Sequence, residues 1–150
     1  MKKTMITCSL LAMILSVSII LFNGCAMFFP PSPPPIPAER VAYWQEEAAK
    51  PVTCNAGKDC ELKWSRCLEW VQSNSHWKLR NVNDFIITTE GPLDTGYPSY
   101  SITKKPEPDG SYSINFSGGC GVLGCYTDMR YLKAHFVNFI NGTPFINKYQ

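Results

Sequence analysis

Histidine is scarce in this 150-residue chain: there are two, His76 and His135. Neither lies in an HExxH pattern or beside a nucleophile elbow, so either side chain is a possible base without an assembled hydrolytic centre around it. Both read as surface or packing residues. No pair of cysteines has the C-x₂-C spacing of zinc ribbons and thioredoxin-type redox sites, and the sequence calls for no metal or cofactor. Excess charge is missing too. Beyond Lys2 and Lys3, 12 basic residues face 12 acidic ones. With no basic stripe along any segment, nucleic acid and an electrostatic membrane patch are both disfavoured. There is no internal repeat. After residue 22 no apolar run approaches the length that spans a bilayer.

What the sequence does have begins at its start. Lys2 and Lys3 precede an apolar run from Met5 to Phe22, broken only by Thr7, Ser9, Ser16 and Ser18. The run ends in Leu21-Phe22-Asn23-Gly24-Cys25, which resembles the lipobox of bacterial lipoprotein precursors. That resemblance implies a signal peptide over 1–24, cut after Gly24, and a Cys25 thiol carrying a diacylglycerol thioether with an acylated amine. Membrane attachment would then run through the lipid on Cys25, because two or more acyl chains hold stably where one exchanges. Ala26 rather than Asp after the cysteine implies, by the family's sorting pattern, the outer membrane of the cell envelope. Ordinary signal-peptide cleavage after Ala26, and an uncleaved anchor of about 18 residues, remain alternatives.

Residues 25–37 form the lipidated cysteine and a tether. Phe28 to Pro37 reads FFPPSPPPIP. Proline fixes φ and removes donors, so such a run favours polyproline II at about 3.1 Å per residue, a stiff spacer of roughly 30 Å. A ligand for a proline-reading partner is the alternative. A short helix and linker are expected over 38–58, the helix running from Ala38 to Lys50 and stopped by Pro51.

The remainder, 59–150, reads as one α+β domain. Asp59 is a candidate cap for a helix to about Ser73, with Trp64, Cys67, Leu68 and Val71 on one buried stripe. Segments 77–82, 85–90, 97–104 and 111–117 read as strands, with turns at Asn83-Asp84 and Pro106-Glu107-Pro108-Asp109-Gly110; one long bent strand over the first two segments is the alternative. Tyr100 and Ile102 share a face of one strand, as do Tyr112, Ile114 and Phe116 of the next. A last helix from Thr127 or Asp128 to Ile140 turns Leu132, Phe136, Phe139 and Ile140 inward, and Gly142 and Pro144 end it. The expected architecture is an antiparallel meander of three to four strands flanked by an N-terminal and a C-terminal helix, preceded by the Pro-rich tether. Residues 63–140 resemble a group of small uncharacterised envelope lipoproteins. The resemblance rests on Trp64-Ser65-Arg66-Cys67-Leu68-Glu69-Trp70, Asn74-Ser75, Lys78, Asp84, Thr88-Thr89, Gly110-Ser111-Tyr112 and the Cys120 to Cys125 loop. It implies fold and compartment, and brings no activity.

An exported chain meets an oxidising periplasm, where disulfides are the default. With Cys8 removed and Cys25 acylated, five thiols remain. Cys67 sits on the apolar helix stripe and behaves there as a small hydrophobe. Seven helical residues put Cys60 roughly 10 Å from it, beyond bridging distance. Cys54–Cys60 and Cys120–Cys125 are the expected pairs, and cross-pairing between the two segments stays open. Two motif matches are read as coincidence. Gly119-x-Gly121-x-x-Gly124 fits a dinucleotide fingerprint, but it is crowded by Cys120 and Cys125 and has no βαβ unit around it. Ser101 and Lys104 match an acylase spacing, yet on a strand they face opposite ways.

Three functions follow. The favoured one is a non-catalytic anchored lipoprotein that binds a protein or cell-wall partner or supports envelope assembly. A small-ligand domain using the sheet's exposed face with Tyr97, Tyr100 and Tyr112 is the second. An envelope enzyme built on His76, His135 or a carboxylate is the third. The anchor is directly testable by intact, non-reduced mass of the protein from the membrane fraction. The expected species begins at Cys25 and carries acyl mass with two disulfides; a product starting at Met27, or an unlipidated full chain, overturns the lipobox.

Overall fold

Pro51 cannot continue a helix, and in the computed structural model of the chain the first described helix, α1 (Ala38–Ala49), stops just ahead of it. The structure describes residues 34–93, 96–122 and 124–145. Cys25, the apolar leader and the Pro-rich run before Pro34 lie outside them, and so do the expectations placed there. After α1 come β1 (Thr53–Asn55), α2 (Lys58–Asn74), β2 (Leu79–Val82), β3 (Ile86–Thr89), β4 (Ser99–Pro106), β5 (Ser111–Gly119) and α3 (Met129–Asn141). The fold is α+β: three helices among the described residues and one antiparallel sheet.

That sheet has five strands in the order β1-β5-β4-β3-β2, not three or four. The strands β2 to β5 form the expected meander. The addition is β1, whose Thr53, Cys54 and Asn55 pair with Ser113, Tyr112 and Ser111. Three residues with no apolar alternation carry no strand signal of their own. Pairing with β5, the Cys54–Cys60 disulfide and the Lys63 ammonium donating to Thr53 O (2.6 Å) hold them in place. Asp59 does not cap α2. Gly57 occupies that position, and the Asp59 carboxylate instead accepts from the Asn55 N–H at 2.9 Å. α3 begins at Met129, one residue after the later of the expected starts, and Asp128 caps it: its carboxylate accepts from the Arg130 N–H at 2.8 Å.

The core lies between one face of the sheet and α2 with α3. Cys67, Val71, Ile87, Ile102, Phe136 and Ile140 are fully buried there, and Trp70 is 1 % exposed at the centre. Trp70 was not on the expected stripe, whose true face is broader and centred on Cys67. Its ring meets Tyr100, Phe116 and Phe136 edge-on, with centroids 5.2, 5.6 and 5.3 Å away. The opposite sheet face is polar. Thr88, Ser101 and Ser117 form one cross-strand row, and Thr103 and Asn115 belong to the next.

α1 packs against α3 in the unit that begins at Ile36. A buried polar contact fixes α1 on α3. The Asn138 amide donates to Glu47 Oε2 (2.8 Å), Lys50 also reaches that carboxylate, and the Thr143 hydroxyl donates to Asn138 Oδ1 (2.6 Å). A carboxylate this buried is tolerable because it is paired and hydrogen-bonded. Trp44 adds an edge-on contact with Tyr131 at 5.3 Å.

The indole N–H of Trp70 donates to His135 Nδ1 at 3.2 Å, so the neutral ring carries its proton on Nε2. Partial burial holds the His135 pKa below the usual 6.5. Near pH 6.5 and below, the unfolded chain therefore binds the proton more readily than the folded one. This contribution to stability is full above about pH 6.5 and is lost as pH falls towards the folded pKa. Thermal unfolding followed from pH 8 to pH 5 should show Tm falling below pH 6.5. In His135→Asn, which keeps an acceptor and removes the titration, that segment of the curve should flatten.

Candidate functional site

The strongest surface feature is built by two loops at one end of the sheet. The segment 90–98 joins β3 to β4, and the segment 120–128 joins β5 to α3; Ser99 pairs with Gly119, so both leave the sheet together. Cys120 and Cys125 are bridged, which closes the second loop. The Tyr126 N–H donates to Gly96 O at 2.9 Å, and the Cys120 sulfur lies 3.6 Å from the same oxygen. The loops are thereby fastened to each other as well as to their own strands.

Aromatic rings fill the junction. Tyr97 stacks on His76 (4.1 Å between centroids, 12° between planes), and Tyr126 stands edge-on to Tyr97 at 5.3 Å. Trp77 meets His76 edge-on, and its indole N–H donates to Tyr97 O at 3.1 Å. Two glycines make this packing possible. A Cβ on Gly91 would fall 2.6 Å from the Trp77 ring, and one on Gly96 would fall 2.8 Å from the Tyr126 ring. Both also have positive φ, which side chains disfavour. On these two loops Leu93, Tyr97, Val122 and Tyr126 are exposed, Tyr126 at 77 % and Val122 at 92 %. Large exposed apolar side chains on braced loops make this end a candidate contact surface.

The sequence-based candidates are distributed differently. The structure joins Cys54 to Cys60 and Cys120 to Cys125, so cross-pairing does not occur. Cys67 is free and buried, and burial pushes its thiol up to about 12. Tyr100 and Tyr112 are not on the exposed sheet face. Tyr100 is buried against Trp70, its hydroxyl donates to Asn74 O, and burial raises it to about 12. Tyr112 packs on the core beside Trp64. A ligand site formed by those tyrosines on the open face is therefore not built; Tyr97 alone is exposed, and it belongs to the loop junction. His76 lies in that junction and His135 under Trp70, on separate elements. Ser101 is on the polar face, whereas Lys104 points to the core side, its ammonium 5.0 Å from the Trp64 ring centroid with Phe85 and Tyr112 also near. Among the described residues no group of three His, Cys, Asp or Glu is placed to hold a metal ion, and no helix is long and apolar enough to cross a membrane.

Sequence reading found the Cys120–Cys125 loop but missed its contacts with Gly96 and Tyr97. The available signal was the clustering of Tyr97, Val122 and Tyr126 near glycines, which fixes no contact by itself. Replacing Cys120 and Cys125 with alanine should cost about 2 kcal/mol, the loop-closure entropy of so short a ring. The expected signature is faster amide exchange at Tyr126 and a weakened near-ultraviolet tyrosine signal, with exchange in β4 and α3 protected much as before. Uniform loss of protection would mean that the bridge supports the core and not the junction. No family model, curated protein or solved structure matches the chain.

Proposed function

We propose that this chain is a lipid-anchored, non-catalytic protein of the bacterial envelope whose braced aromatic end docks a protein partner. The anchor rests on the lipobox at Cys25, and the Pro-rich segment serves as a tether holding the domain clear of the lipid. The observation that carries the docking role is the exposed group Leu93, Tyr97, Val122 and Tyr126 on two loops fastened to each other. Tyrosine contributes large contact area at little entropic cost, and its enrichment is typical of protein interfaces. Leu93 and Val122, exposed on the same two loops, favour a protein surface over a glycan, because they offer a sugar no hydrogen bond. Pre-packing by His76, Trp77 and the disulfide lowers the ordering cost of binding.

The test is photocrosslinking in intact cells with benzoylphenylalanine at Tyr126, against a control position at Asn115 on the polar sheet face. The reading expects one discrete protein adduct at Tyr126, absent from the control and lost when Cys25→Ala removes the anchor. Identical adducts at both positions, or capture of cell-wall glycan alone, would overturn it.

A further inference from the structure

The outer edge of β5 is only partly covered. This strand is nine residues long, and β1 pairs with three of them. In an antiparallel ladder, successive residues send their backbone groups to opposite sides of the strand. Ser111 O accepts from Glu107 N on the β4 side, while Ile114 N donates to Val52 O on the β1 side. Odd-numbered residues of β5 therefore serve β4, and even-numbered ones point outward. Phe116 and Gly118 continue that outward series beyond the end of β1. Among the described residues nothing pairs with their outward N–H and C=O groups. The other edge is shorter and less regular: β2 has four residues and a register shift between Leu79 and Asn81 that interrupts the row.

A groove of 470 Å³ runs beside the bare stretch, with Phe116 and Gly118 on one side and Ala48, Ala49, Met129 and Lys133 opposite. A further 240 Å³ adjoins it through Ala48, Ala49, Phe116 and Lys133. The larger volume falls within the range of about 300–1,000 Å³ typical of ligand sites. The alanine side chains keep the α1 wall low. Of the cations around the groove, Arg130 holds Asp128 and Lys50 holds Glu47. Lys133 is exposed and makes no ion pair among the described residues. The groove thus combines unpaired strand-edge groups, apolar walls and one uncompensated positive charge.

We infer that the outer edge of β5 from Phe116 to Gly118 is a strand-addition site for an extended peptide segment of a partner, carrying an acidic side chain opposite Lys133. Main-chain hydrogen bonds would supply affinity, and alternate side chains the specificity. A second copy of this chain fits less well, because two-fold pairing of the edges would bring two Lys133 ammonium groups into one seam. The inference depends on neither the lipid anchor nor the aromatic end.

The experiment uses the purified full chain in detergent and a capped seven-residue peptide of alternating valine and glutamate. Bound peptide should slow exchange of the Phe116 and Gly118 amides, and of no other pair in β5. Lys133→Glu should weaken binding about threefold at low salt, the value of one exposed charge pair. The same peptide N-methylated on alternate amides should fail to bind. Equal binding of the methylated peptide, unchanged exchange at both amides, or association of the chain with itself through those amides would each overturn the inference.

Discussion

An indole buried as deeply as that of Trp70 has two requirements: its ring must be matched in shape, and its N–H must find an acceptor. The first is met by Tyr100 and Phe116 from the sheet and Phe136 from α3, all edge-on. The second is met by His135 Nδ1, one residue before Phe136 on the same helix. Because α2, two strands and α3 all supply parts of this environment, none can shift without exposing an aromatic ring or orphaning a polar hydrogen. Truncating such a ring costs about 3–5 kcal/mol, and an unsatisfied buried donor adds about 1–3 kcal/mol. The Asn74 amide donates to the carbonyl of Trp70, and the Tyr100 hydroxyl to that of Asn74, so the end of α2 is tied to the same centre.

Around that centre the domain is closed by polar contacts. Glu47 and Asn138 join α1 to α3, Lys63 joins α2 to β1, and the Trp64 indole N–H donates to Asn83 O at the β2–β3 turn. The first links residues 91 positions apart, whereas Lys63 and Thr53 are 10 apart and fasten two consecutive elements. The two disulfides have a different reach. Both close short loops, one leading from β1 into α2 and the other just after β5. They order the approach to a helix and a loop surface while the aromatic core holds the layers together.

What the sequence made legible follows the same division. Alternation at Tyr100 and Ile102, and at Tyr112, Ile114 and Phe116, was readable because one sheet face is dry and the other wet. The start and stop of α3 were readable because Asp128 and Gly142 act locally. Turn chemistry at Asp109 was readable for the same reason: its carboxylate accepts from the Ser111 N–H and hydroxyl. The misses are tertiary. Thr53–Asn55 is a strand only because β5 and α2 hold it, and Asp59 serves Asn55 instead of its helix. The candidate surface was half legible. Its disulfide followed from compartment and spacing, but the contact of Tyr126 with Gly96 brings together residues thirty positions apart, and no local pattern encodes it.

The contrast between the sheet's two edges bears on why β1 is so short. Continuing the β1 register backwards would set Lys50 opposite Phe116, but the Lys50 N–H is already given to Glu47 O at the end of α1. The end of α1 at Lys50 therefore also sets the end of β5's cover. An uncovered edge promotes aggregation unless something restricts access to it. Here α1 and α3 stand beside the gap, and the groove lined by Ala48, Ala49 and Phe116 is the space the proposed segment would enter. Lys133 on the rim adds the charge that most discourages edge-to-edge pairing. The geometry that limits indiscriminate association is the same geometry that leaves a defined opening for one strand.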